Sequence, residues 1–226
     1  MEFTIRDIKE SEISKVAELL SAAYYDDIFF KWLVPEDDER FDVIKSYYEI
    51  YLKSRGCLSH VAVNASNEII GATVWLPHDA DESIYKEIEL MAGKNAPQFH
   101  FVAHESHNNE PKRQAFYQLV GFGVLKELQG NGIGFALLKH NLDIQDEAGI
   151  PTYLEASTPY VEYKPYEYAG VYGKFRYVPY KNFPMMFASN VSLYPLYRPV
   201  GGYVFEHEEE EEESTVSNNW FINIDV

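Results

Sequence analysis

The stretch ELQGNGIGFALLKHNLDIQDEAGIPTYLEAS, Glu127 to Ser157, decides how the rest of the chain is read. Gly130, Gly132 and Gly134 alternate where an extended pattern gives way to a helical one. Ordered glycine costs conformational entropy, so three in alternation require a reason. After them, Phe135, Leu138 and Leu142 fall on one stripe, with Lys139, Asp143 and Asp146 on the other side of a helix. The helix is predicted to end at Ala148, with Gly149 as a left-handed stop and Pro151 just beyond. Thr152 to Ser157 reads as the following strand, and the aromatic, β-branched run Gln114 to Val124 as a buried strand before the glycines. Strand, glycine turn, helix, strand is a right-handed βαβ unit with parallel strands.

Outward from that centre, Phe3 to Ile8 alternates as a short strand. Ile13, Val16, Leu19, Leu20 and Ala23 give the next segment helical spacing, with Ser11 as its cap. A second helix runs from about Asp38 to Lys53. CLSHVAV and EIIGATVWLP read as two strands joined by a turn whose chemistry comes from Asn64 to Asn67, and Pro77 closes the second. Residues 79–110 read as helical but broken at Gly93, Pro97 and Pro111. No internal repeat is present.

The 226 residues are 46% hydrophobic and 24% charged, the balance of a soluble globular chain of one domain. No apolar run approaches the length needed to cross a bilayer. MEFTIRDIKE lacks a basic region followed by an apolar one, so no signal peptide is expected. The single cysteine, Cys57, excludes an internal disulfide framework and suits a cytoplasmic setting. Net charge is −17, of which Glu206 and Glu208 to Glu213 supply seven. Such a balance argues against nucleic acid, whose phosphates require lysine and arginine, and is compatible with a small cationic substrate. Residues 1–205 are expected to form one domain and 206–226 an acidic, partly disordered tail.

Backbone N–H groups at a helix start are unpaired and electropositive, and glycines let a phosphate approach them. Three phosphate patterns compete at the turn. A nucleoside-triphosphate loop needs GxxxxGK[ST], but Phe135 and Ala136 stand after the last glycine. A dinucleotide fingerprint needs GxGxxG with an acid about 20 residues on; the turn reads GxGxG, and Glu155 lies at about that distance. The third pattern, Q-x-x-G-x-G, is met by Gln129, Gly132 and Gly134 and cradles the pyrophosphate of coenzyme A. A turn that is glycine-rich only for tight packing is the structural alternative.

GVLKELQGNGIGFALLKHNLDIQDEAGIPTYLEAS resembles the core of the GNAT superfamily of N-acetyltransferases, and in particular the branch that contains puromycin acetyltransferase. AAYYDDIFFKWLVPE, IIGATVWLP and VSLYPLYRPV resemble that branch's early helix and loop, its third strand and its last strand, in the same order. The resemblance implies an α/β fold: a mixed twisted sheet with helices on both faces and a splayed central strand pair. It implies acetyl-CoA as cosubstrate, held as a pseudo-strand by the backbone of Phe122, Gly123 and Val124, with the Val124 amide donating to the thioester carbonyl. Gln129, Gly130, Asn131, Gly132, Ile133 and Gly134 would hold the pyrophosphate.

The activity implied is acetyl transfer to a small-molecule primary amine by direct attack on the thioester. Tyr172, in VYGKFRY, matches the family's general acid for the leaving thiolate, a task suited to a phenol of pKa near 10. Three departures accompany that match: Arg176-Tyr177 replaces a glycine-aromatic pair, Tyr168 stands where asparagine is expected, and YVEYKPYEYAG lengthens the connection. They make a non-catalytic acyl-CoA-binding protein the alternative. Glu155 is the candidate general base, since burial would raise its pKa, and is otherwise an acceptor for neighbouring backbone.

His100, His104 and His107 could lie together on a helix, but no HExxH accompanies them. No metal is expected; solvent exposure, or a part in the acceptor pocket, suits them better. Cys57 reads as a small packing residue. No nucleic acid or membrane partner is expected.

Overall fold

Alternation of buried and exposed side chains along Leu58–Asn64 and Ile69–Pro77 is interrupted, because both strands are covered on both sides. A computed structural model describes residues 2–80, 83–112, 114–157 and 171–204. Its strands are β1 (Phe3–Asp7), β2 (Leu58–Asn64), β3 (Ile69–Pro77), β4 (Tyr117–Val124), β5 (Thr152–Ala156), β6 (Val178–Pro179), β7 (Met185–Ala188) and β8 (Val191–Arg198). They form a sheet in the order β1-β2-β3-β4-β5-β8-β6, with β7 also paired to β8. Every pairing is antiparallel except β4 with β5, the pair the βαβ pattern requires.

The helices are α1 (Ile13–Tyr24), α2 (Ile28–Leu33), α3 (Asp37–Lys53), α4 (Ser83–Ala92), α5 (Ala96–Asn109), α6 (Ile133–Glu147) and α7 (Val171–Lys174). Helices α1 and α3 cover one face of the sheet, where Val16, Leu20, Ile44 and Tyr48 pack on Val61, Ala72 and Val74. Helix α6 covers the other, where Leu138 and Leu142 pack on Trp75, Leu119 and Leu154. This is the expected mixed sheet with helices on both faces.

Two irregularities shape the centre. The parallel pairing of β4 with β5 covers only Tyr117↔Thr152, Gln118↔Tyr153 and Leu119↔Leu154. Beyond that point β4 continues along β3, while β5 continues along β8 with Glu155↔Pro195 and Ala156↔Tyr194. The two strands therefore part, as the splayed pair predicted. At the same level the β3–β4 register jumps from Val74↔Gly121 to Trp75↔Leu119, which leaves Val120 as the extra residue of a bulge. A bulge bends its strand and increases the local twist.

Several local expectations are corrected. Ser11 is not a cap: Glu10–Glu12 forms a 3-10 turn, and Glu12 accepts from the Lys9 amide at 3.0 Å while pairing with Arg6 at 2.7 Å. Pro97 does not break a helix but lies in the first turn of α5, where its missing N–H has no intrahelical partner to lose. Phe135 is not on the buried stripe; it is 43% exposed and stacks on Phe175 at 4.8 Å, while Leu137, Leu138, Asn141 and Leu142 face the sheet. Asp146 is half-buried: both its oxygens take Arg198 at 2.7 Å, and one also accepts the Gly201 amide. Strand β4 is shorter than Gln114 to Val124 and alternates rather than being buried throughout. The helix stop at Gly149 is as expected, with φ +68°.

Among the described residues no helix is long and apolar enough to cross a membrane. The glutamate run, the expected boundary at residue 205, and YVEYKPYEYAG with Tyr168 lie outside the described residues.

Candidate active site

The parted ends of β4 and β5 open a cavity of about 440 Å³. One end is lined by Val120, Gly121, Phe122, Ala156, Val171 and Tyr172. The other reaches under α3, α4 and α5 and is walled by rings, including Tyr47, Tyr48, Tyr51 and Phe99. Glu155 lies on the wall, one residue beyond the last β4–β5 pair.

Glu155 accepts from the Ser106 hydroxyl at 2.7 Å and from the Tyr153 hydroxyl at 2.7 Å. Burial pushes its pKa up, and these two hydrogen bonds only partly oppose the rise. Tyr153 in turn accepts from the Asn109 side chain at 3.2 Å, so α5 and β5 together fix the carboxyl. Two of the lone-pair positions of a carboxylate are thus taken, which leaves the others for a ligand. Its partners are side chains rather than the neighbouring backbone N–H groups of the alternative reading.

Tyr172 shares the cavity with Glu155, and its ring lies 6.3 Å from Phe122 and 5.9 Å from Tyr177. It sits on α7, a single turn. The Arg176-Tyr177 departure is accommodated as follows. Arg176 adopts φ +61°, the left-handed conformation that glycine favours, and the buried Tyr177 hydrogen-bonds Thr152 at 2.7 Å.

The glycines of the turn have separable reasons. Gly130 and Gly132 have φ of +80° and +81°, and a Cβ on either would meet nothing within 4 Å. Backbone conformation requires glycine there, and the space above both is open. Gly134 is different: a Cβ would lie 2.9 Å from Phe122 Cζ, so it allows α6 to pack on β4. The tight-packing alternative therefore accounts for Gly134 and not for the other two. Gly132 caps α6, and the N–H groups of Gly130 through Phe135 meet no hydrogen-bond acceptor among the described residues. The Asn131 side chain braces the turn by donating to the Leu128 and Gln129 carbonyls at 3.0 and 3.3 Å. Gln129 donates to the Val124 carbonyl at 3.2 Å.

Strand alternation decides which atoms of β4 face the gap. The Phe122 amide donates to the Tyr24 hydroxyl at 3.2 Å, and that hydroxyl donates to the Phe122 carbonyl at 3.0 Å. Phe122 and, two residues on, Val124 therefore turn their backbone groups away from β3. Gly123, opposite Ala72, turns its own toward β3. What Gly123 supplies is space: a Cβ there would lie 3.2 Å from Ala23 and Leu20 on α1. Burial pushes the Tyr24 phenol up to about 12, so it stays neutral.

His100, His104 and His107 are exposed on α5 and pair with Glu89, Glu105 and Glu110 at 2.6, 3.0 and 2.8 Å. Only His107 of the three borders the cavity. Among the described residues no three metal-ligating side chains converge. Cys57 packs against the core, and burial pushes its thiol up to about 12. Tyr24, Ser106, Tyr153 and the Tyr47–Tyr51 hydroxyl pair, 2.9 Å apart, were not singled out from sequence. Their roles rest on contacts between distant segments; Tyr24 and Phe122 are 98 residues apart.

No family model matches the chain, and none of the curated proteins does. Solved structures do match. An acetyltransferase from Corynebacterium glutamicum, described as histone acetyltransferase HPA2 and related acetyltransferase, is 17% identical with a TM-score of 0.61, covering 88% of this chain and 97% of that one. Arylalkylamine N-acetyltransferase 2 from Aedes aegypti is 9% identical with a TM-score of 0.53, covering 88% and 100%. A chain of the NatC complex, bound to Gag peptide and CoA, is 13% identical with a TM-score of 0.50, covering 88% and 99%. At these identities the likeness is one of fold, and the fold is that of the GNAT N-acetyltransferases.

Proposed function

We propose that the chain is an acetyl-CoA-dependent N-acetyltransferase that acetylates a primary amine of a small molecule, with residues 1–205 as its catalytic domain and 206–226 as an acidic tail. The observation that carries this is the parting of β4 from β5 after three paired residues, beside a helix start with unpartnered N–H groups. A pyrophosphate suits the turn from Gln129 to Gly134, where the positive helix end and the open space above Gly130 and Gly132 coincide. An extended, amide-bearing arm suits the gap, whose β4 edge offers N–H and C=O groups at Phe122 and Val124. In this reading Gly123 acts through its missing side chain and makes no hydrogen bond to the arm. Phe122 lines the cavity with Glu155 and Tyr172, so its amide, rather than that of Val124, is the donor to the thioester carbonyl.

The chain's residues then divide the proton work. Glu155 receives a proton from the incoming ammonium, which frees the amine lone pair. The amine forms the C–N bond, the Phe122 N–H steadies the oxyanion, and the C–S bond breaks. Tyr172 gives its proton to the departing thiolate, and its phenolate takes up the second proton that the attacking nitrogen sheds as the amide forms. A carboxyl raised by burial is suited to accept and later release that proton near neutrality.

Thermal unfolding titrated with acetyl-CoA, with NAD and ATP as controls, tests the cofactor. A ligand at about 100 times its dissociation constant stabilises the folded state by about 2.7 kcal/mol. A shift with acetyl-CoA alone is expected; none, or one with NAD, overturns the reading. Amine-dependent release of free thiol then separates the transferase from an acyl-CoA-binding protein without turnover.

A further inference from the structure

The three carboxyls that line the cavity differ in their partners. Glu89 is paired with His100, and Glu110 with His107 at 2.8 Å and Lys112 at 3.7 Å. Glu155 has hydroxyl donors only, and no lysine or arginine is among the described residues that line the cavity. Among the described residues Glu155 is thus the one carboxyl of the three that no lysine, arginine or histidine touches, in a wall that is mostly aromatic and aliphatic and also carries Ser106, His107, Gln118 and Ser157. Tyr47 and Tyr51 line the same cavity as Glu155. The hydroxyls of that pair bond one another, so the surface they present to the cavity is mainly ring.

We propose that this cavity is the acceptor subsite for a monoamine: one primary ammonium at Glu155, carried on an aromatic or branched aliphatic body that fills the space under α3, α4 and α5. The inference rests on the acetyltransferase reading for its catalytic meaning, but its recognition chemistry is independent. A single ammonium gains a charge-assisted hydrogen bond to Glu155 and the faces of neighbouring rings. A polyamine brings further charges, while the other two carboxyls of the lining, Glu89 and Glu110, already have His100, His107 and Lys112 as partners, and burying an unpaired ammonium is strongly unfavourable.

The experiment is calorimetric titration of the full chain with 2-phenylethylamine, 2-phenylethanol and spermidine, each with and without coenzyme A. The phenylethylamine is expected to bind at least about tenfold more tightly than either other probe, the scale of one hydrogen bond to a charged group. In Glu155→Gln its advantage over 2-phenylethanol should vanish, while 2-phenylethanol binds as before. Should that variant fail to fold, Ala103→Phe, which fills the cavity from α5, is expected to abolish phenylethylamine binding. Spermidine binding as tightly as phenylethylamine overturns the proposal, as does an undiminished preference in Glu155→Gln or binding retained in Ala103→Phe. Titration with coenzyme A alone reports on the transferase reading separately: its failure leaves the amine result standing, and its success does not supply one.

Discussion

Replacing Glu155 by glutamine changes one atom of the site and removes its capacity to hold a proton. Glutamine keeps the shape, and its carbonyl still accepts one of the two hydrogen bonds now received from Ser106 and Tyr153. The other hydroxyl turns to accept from the new NH2, so the wall of the cavity is preserved. A positioned general base contributes about 10²- to 10⁴-fold, or about 3 to 5 kcal/mol of barrier at 1.36 kcal/mol per tenfold. The expected result is a loss of kcat on that scale, read as thiol release with saturating amine, and the disappearance of the acidic limb of the kcat–pH profile. Stability moves the other way. Burial raises the folded-state pKa of Glu155, so the folded chain holds this proton after the unfolded chain has lost it. The stability so gained is greatest below the unfolded carboxyl range, near pH 4, and is lost as pH rises through the folded value. The variant lacks that loss, so its melting temperature should fall less than the parent's between about pH 4 and about pH 7. A kcat loss below about tenfold, with the acidic limb intact, would refute the assignment of Glu155 as base.

Other perturbations test neighbouring parts. Tyr172→Phe is expected to lower kcat by at least about tenfold with the dissociation constant of acetyl-CoA unchanged; an intact kcat removes Tyr172 from the mechanism. Gly132→Ala must hold φ near +81° with a side chain, at about 1 to 2 kcal/mol, and should also weaken acetyl-CoA in a binding titration. Lost stability with unchanged affinity would detach the turn from the cofactor. Asp146→Ala leaves the buried guanidinium of Arg198 without its carboxylate, and urea unfolding should register a loss of about 3 kcal/mol. Burial lowers the pKa of His60, which is held by Asn141 at 2.7 Å and Asp7 at 3.0 Å with the His140 ring nearby. The unfolded chain therefore takes up this proton first, and stability should drop as pH falls below about 6.5. His60→Gln should abolish that part of the drop in a melting series.

What could be read without the structure was local. Gly149 announces a helix end because one residue in the left-handed region suffices, and Asn64 and Asn67 announce a turn because their own side chains and backbone make it. Helix α2 went unnoticed: IFFKWL is six residues long and nearly all apolar, too short and too uniform to display a period. Its start is set by Asp27, whose carboxylate takes the Phe29 and Phe30 amides and the Ser157 hydroxyl 130 residues away. The bulge at Val120 is a property of two strands and cannot be seen in one. Phe135 reads as part of the buried stripe because apolar character is its only signal, whereas the helix buries Leu137 and Asn141. The glycine turn was legible, although Gly134 owes its identity to close packing on Phe122. The aromatic end of the cavity was not legible, because its rings come from several helices, α3 and α5 among them, and only the fold brings them to Glu155.

The hydroxyl of Tyr24 on the Phe122 amide and carbonyl has a consequence for solubility. Where β4 leaves β5, the sheet acquires a raw edge in its middle, the kind of surface on which foreign strands add and aggregates grow. Tyr24 blunts the Phe122 step, and Gln129 occupies the Val124 carbonyl. Each is a single side chain rather than a covering strand. In the proposed reading this shielded interior edge is where one extended guest would lie.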